Sequence, residues 1–130
     1  MKSTITAEFR SSLEDVWNVV TNNENIEWRT DLDELIVLDH QTFIEKNHKG
    51  YEVVFKITSK VEMSYYEFQI ASKVSYGTWQ GYFYVEDDCT KVKFVENIST
   101  NKAFAKIFLL PYLRKHQRNY IRDMKKELGE

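Results

Sequence analysis

Residues 101–128, NKAFAKIFLLPYLRKHQRNYIRDMKKEL, decide how the rest of the chain must be arranged. Phe104, Ile107, Phe108, Leu110, Leu113, Tyr120, Ile121, Met124 and Leu128 recur at the spacing of one helix face. Lys106, Arg114, Lys115, Arg118, Arg122, Lys125 and Lys126 fall largely on the other face. A helix with one apolar stripe must lay it on something, and the only partner available is a sheet built from the middle of the chain. Pro111 lies inside the pattern. It lacks an N–H and its ring crowds the preceding turn, so a kink or short break is expected there, with helix on either side.

Upstream of this segment the period is mostly two. Residues 3–10 alternate, with Ile5, Ala7 and Phe9 against Thr4, Thr6, Glu8 and Arg10, as in a half-buried strand. Ser12 followed by Asp15 has the spacing of a capping box. Leu13, Val16, Trp17 and Val20 then give a short amphipathic helix ending near Asn22. Residues 25–29, with Ile26 and Trp28, suggest a second short helix or a turn. Six strands follow, at 35–38, 43–46, 51–61, 63–72, 77–85 and 91–98. Asn47 to Gly50 and Glu86 to Cys89 carry the turn chemistry between them. Short turns between neighbouring strands make an antiparallel meander. The order of elements is therefore α+β: one strand, two short helices, about six strands, one long helix.

Composition narrows the class. A chain of 130 residues, 42% hydrophobic and 15% aromatic, can form one domain over 1–130 with a core that needs no disulfide or metal. The net charge of −2 exerts no global pull toward nucleic acid. Charge is unevenly spread: eight Lys and Arg face three acids from Lys102 onward, while ten face seventeen before it. The basic face suits the C-terminal end of a helix dipole, or alternatively a protein partner or phosphate group meeting Arg114, Lys115, Arg118 and Arg122. One cysteine, Cys89, fits a reducing cytoplasm, and no stretch reads as a signal peptide or an integral membrane segment.

These elements, and the segments ITAEFRS, SLEDVWNVVTN, EWRTDLDELIVLD and GTWQGYFYVEDDCTKVKFVE, resemble the SRPBCC superfamily. This START-like, helix-grip group includes polyketide cyclases, lipid-transfer domains and birch-pollen-allergen-like proteins. The resemblance spans essentially the whole chain. It implies a seven-stranded antiparallel sheet curved around the C-terminal helix, with an apolar cavity between them. It carries no fixed catalytic set, because chemistry varies on this scaffold. Relatives often have Gly-Thr where this chain has Cys89-Thr90.

No Gly-rich phosphate loop, CxxC or HExxH occurs, and neither a metal nor a cofactor is expected. His40, His48 and His116 read as solvated side chains. Cys89, beside Asp87 and Asp88, reads as an exposed thiol whose acidic neighbours disfavour the thiolate. Glu96 lies on the apolar parity of its strand, between Phe94 and Ile98, and Ser59 interrupts Ile57 and Val61 in the same way. Glu96 either reaches water or a basic residue at the sheet rim, or it orients a ligand or acts as a general base. Trp28, Tyr51, Phe55, Tyr66, Phe68, Trp79, Phe83, Phe94, Phe104 and Phe108 are, with Glu96, the candidate walls of a site. Trp17 and Tyr120 are further rings for the same space. They either fill the interior or leave room for a greasy small molecule. The expected function is non-catalytic binding of a hydrophobic or amphipathic small molecule; a cyclase-like enzyme and a protein-interaction module are the alternatives.

Overall fold

The computed structural model describes residues 1–103 and 105–130. Strand β1 (Lys2–Phe9) leads into helix α1 (Leu13–Thr21). Six strands follow: β2 (Leu32–Val37), β3 (Thr42–Asn47), β4 (Glu52–Val61), β5 (Tyr65–Ala71), β6 (Ser75–Glu86) and β7 (Cys89–Thr100). Helix α2 (Lys106–Glu127) closes the chain. The seven strands form one sheet in the order β1-β7-β6-β5-β4-β3-β2, every neighbouring pair antiparallel.

The local signals explain most of these elements. The Ser12 hydroxyl accepts from the Asp15 amide at 3.1 Å, and α1 buries Val16, Trp17 and Val20 as its spacing requires. The β6–β7 turn consists of Asp87 and Asp88, both with positive φ, the two-residue geometry that matches strand twist. Strand β4 carries a register irregularity between Ile57 and Ser59, where its inward alternation falters.

Three expectations need correction. Residues 25–29 form turns, not a second helix. Asn22 and Asn25 accept through their side chains from the amides of Glu24 and Glu27, the local bonding with which Asn competes against helix. The long helix starts at Lys106 rather than at 101, because Asn101 N–H and the Thr100 hydroxyl both donate to the Val74 carbonyl and hold the chain to the β5–β6 turn. Helix α2 also runs unbroken through Pro111. Proline removes a single donor there, and Ile107, whose carbonyl would have received it, is 74% exposed to water.

Helix α2 is not docked uniformly. Its C-terminal part buries Leu113, Gln117, Ile121, Asp123 and Met124, whereas Ile107, Phe108 and Tyr112 stay exposed. The buried polar groups act as pins. Gln117 accepts from the Ser3 hydroxyl at 2.7 Å and donates to the Ser3 carbonyl at 2.9 Å. Asp123 accepts from the Thr30 amide and hydroxyl at 2.9 and 2.8 Å. Beyond the helix, the Glu130 carboxylate accepts from the Arg10 and Ser11 amides and the Ser11 hydroxyl. Arg114, Lys115, Arg118 and Arg122 are exposed. The tight core lies at this end, where Phe9, Val16, Trp17, Phe83, Val92 and Met124 pack together.

Gly81 makes room for the wall of the other end. A Cβ there would stand 2.5 Å from Trp79 Cη2, because that ring folds across the glycine. Gly81→Ala should therefore displace the ring and cost about 1–3 kcal/mol, read as a lower urea midpoint with an unchanged slope.

Burial alone would raise the Glu130 carboxyl, but its three donors and nearby Lys125 hold it at about 2. Its folded value lies below the unfolded one, so its contribution is complete above about pH 4.5 and is lost as pH falls toward 2. Glu130→Gln should lower the urea midpoint at pH 7, and the gap from wild type should close by pH 2.

Candidate functional site

Between the sheet and the exposed N-terminal half of α2 lies an open cavity of about 1020 Å³. Its floor is a run of rings that crosses the sheet strand by strand. Phe43 stacks on Phe55 with centroids 4.9 Å apart, and Phe55 meets Phe68 edge-on at 5.1 Å. Phe68 stacks on Trp79 at 4.8 Å, and Trp79 leans on Phe94 at 4.9 Å. Phe94 then meets Tyr120 of α2 edge-on at 5.7 Å. Phe43 lies opposite Phe55, and Phe68 opposite Trp79, while Phe55 and Phe68, and Trp79 and Phe94, are diagonal neighbours within reach of one another's rings. Rings tiled along the sheet in this way cover it without filling the space above. Of the two expectations for the interior, the hollow one describes the fold.

Most of the expected wall is assembled. Phe55, Tyr66, Phe68, Trp79, Phe94 and Glu96 line the cavity, with Tyr51 and Phe108 beside its mouth at 67% exposure each. Two residues do not belong to it. Phe83 is buried in the tight core against Trp17, with centroids 4.9 Å apart. Trp28 packs edge-on to Tyr120 at 5.2 Å and donates its indole N–H to the Asn25 carbonyl, outside the cavity wall. Phe104 lies outside the described residues.

Polar groups that periodicity had left in solvent gather at the wall. The Arg29 guanidinium grips Asp31 at 2.9 and 2.8 Å and Glu45 at 3.1 and 3.2 Å. Its side chain is only 9% exposed and lies 5.1 Å over the Tyr120 ring. Burial by itself would lower its pKa, but Glu45 and Asp31 hold it protonated, well above its usual value. Burial likewise raises Asp31, yet Arg29 and then His116 bring it below the usual carboxylate range. His116 Nε2 stands 3.8 Å from Asp31, and the imidazole stacks on Tyr112. The Tyr66 hydroxyl accepts from Asn23 at 3.5 Å. His48, exposed outside the cavity, is bonded to Asp33 and to the Thr30 carbonyl, which raises its pKa.

Glu96 settles on the inner face of β7, 8% exposed, opposite Trp79 in the β6–β7 register. The expected rim position and basic partner are both missing: its carboxylate joins no hydrogen bond or ion pair among the described residues. Burial pushes its pKa up, with Glu45 and Asp31 adding to the rise while His116 and Arg29 oppose it.

The sequence did hold a signal for part of this cluster. Tyr112, His116 and Tyr120 recur every fourth residue, one stripe of α2 that faces the cavity. Arg29, Asp31 and Glu45 offered none, since ordinary surface charges look the same in one dimension.

Two outcomes follow from this geometry. Arg29→Met strands two carboxylates near the cavity and should cost about 3–5 kcal/mol, measured by urea unfolding. Glu96→Gln should do the opposite. A carboxyl whose folded pKa exceeds its unfolded value loses stability as pH rises above the unfolded one, about 4.3. The variant's urea midpoint should match wild type near pH 4 and exceed it at pH 8.

No family model matches the sequence, and no curated protein matches it. Solved structures do. A START superfamily protein from Mycobacterium smegmatis superposes with a TM-score of 0.85 at 8% identity, over 98% of this chain and 97% of that one. A conserved protein from Geobacillus kaustophilus gives 0.82 at 12% identity, over 99% and 95%. DynU16, from the dynemicin biosynthetic locus, gives 0.76 at 9% identity, over 98% of this chain but 47% of its own. At such identities the likeness establishes the fold: the chain has the START-like, helix-grip architecture. No helix among the described residues is long and apolar enough to cross a membrane.

Proposed function

We propose that the protein binds a hydrophobic or amphipathic small molecule in the cavity between the sheet and α2. The observation that carries this reading is the hollow itself: about 1020 Å³, floored by an unbroken run of rings and open at one side. Ligand sites are typically apolar concavities of roughly 300–1000 Å³ with a few placed polar groups, and this one has that composition. The similarity to a START superfamily protein supports the same reading by analogy of fold.

A second reading, a cyclase-like enzyme, is favoured by one observation: Glu96 is buried at the cavity wall with a raised pKa, as suits a proton-transferring carboxyl. It also requires hydroxyls converging on the same point. Tyr66, Tyr112 and Tyr120 line the cavity, but none hydrogen-bonds to Glu96. Binding without chemistry is the simpler use of this arrangement.

Native mass spectrometry of protein taken from its own host should reveal a retained small molecule. In vitro, the neutral probe N-phenyl-1-naphthylamine should brighten on binding. Leu109→Trp, which places a larger ring in the cavity lining, should weaken that binding about tenfold, a loss of ~1.4 kcal/mol. An empty native protein, together with no probe binding and no thermal stabilisation by any hydrophobic compound, would overturn the reading.

A further inference from the structure

The charges at the cavity wall are unbalanced in a way that bears on the ligand. Four carboxylates line it: Asp31, Glu45 and Glu96 lie inside with Arg29 and His116, and Glu52 is exposed. Arg29 is already committed, since its Nε, Nη1 and Nη2 donate to Asp31 and Glu45 in four hydrogen bonds. It cannot turn toward a ligand anion without abandoning two buried carboxylates. His116 leans on Asp31. Lys73 and Lys102, the other cations of the lining, are exposed.

Glu96 stands apart from this network. It is more than nine-tenths buried, lines the cavity, and has no partner among the described residues. No side-chain oxygen among the described residues is sealed from water without a partner, so the unbonded carboxylate oxygens of Glu96 open on the cavity. The vacant bonding capacity of Glu96 is that of an acceptor.

We infer that the ligand is an amphiphile that carries a hydrogen-bond-donating head, an ammonium above all, inward to Glu96, with its apolar body against the rings of Phe68, Trp79 and Phe94. An ammonium offers three donors and a positive charge to Glu96, the carboxylate inside the cavity that Arg29 leaves unpaired. A carboxylate or phosphate head would meet Glu96 as a like charge and find Arg29 occupied. This inference rests on the cavity-binding reading and specifies its ligand class.

Three compounds with the same twelve-carbon chain separate the possibilities: dodecylamine, dodecan-1-ol and dodecanoic acid, each titrated below its micelle concentration at pH 7.5 by calorimetry. The added charge should make the amine bind about tenfold or more tighter than the alcohol, and the acid more weakly than either. Glu96→Gln, which keeps an acceptor but removes the charge, should abolish the amine's advantage over the alcohol. A urea midpoint no lower than wild type at pH 7.5 guards against a variant that merely misfolds. Dodecanoic acid binding as tightly as the amine, or an amine preference that survives Glu96→Gln, overturns the inference while leaving the cavity reading intact. Failure of all three compounds to bind overturns the inference, and the cavity reading falls with it only if the protein from its host is also empty and neither the naphthylamine probe nor any hydrophobic compound acts on it.

Discussion

The fold depends on how one end of α2 is fastened. Gln117 and Asp123 are buried polar side chains on an otherwise apolar helix face, and each is satisfied by a segment remote in sequence: Gln117 by β1, Asp123 by the loop before β2. Because such groups are costly to bury unpaired, they tolerate only the register in which their partners are reached. That register sets Met124 and Ile121 into the tight core and, four to five turns earlier, leaves Phe108 standing over empty space. The hollow is a consequence of this placement: one helix, fastened at one end, cannot press its whole length onto a sheet that curves away.

The aromatic residues complete the effect. So many rings could have filled the interior. They do not because consecutive strands present them as direct or diagonal neighbours, and ring-on-ring packing satisfies them within the sheet surface. Gly81 belongs to the same arrangement, as the absence of a Cβ lets the Trp79 ring lie down.

Much of the architecture was legible from periodicity. The inward parity of β1 and β7, the Ser12 cap and the two-residue Asp87-Asp88 turn all follow from local rules. The errors came from competition those rules do not weigh. Asn22 and Asn25 took backbone amides with their own side chains and prevented a second helix, and Thr100 and Asn101 kept the chain on the sheet where helical spacing had already begun. Within the site, the rings and Glu96 could be read because they break or keep an alternation. The Arg29–Asp31–Glu45–His116 cluster could not, because residues 29 and 116 are neighbours only after folding. Phe83 and Trp28 share the aromatic signal but lie against α1 and beside Tyr120, so residue type alone did not separate wall from core.

The proline in α2 gives the unequal fastening a kinetic meaning. Ahead of Leu113 the helix has exposed apolar side chains, one ladder bond fewer at Pro111 and, among the described residues, no side-chain hydrogen bond to the strands. Segments of this kind unravel locally at a small fraction of the cost of global unfolding. The hollow can therefore widen by peeling back two turns of backbone while all seven strands stay zipped. Its width would then be governed by a short stretch of chain and not by the stability of the whole.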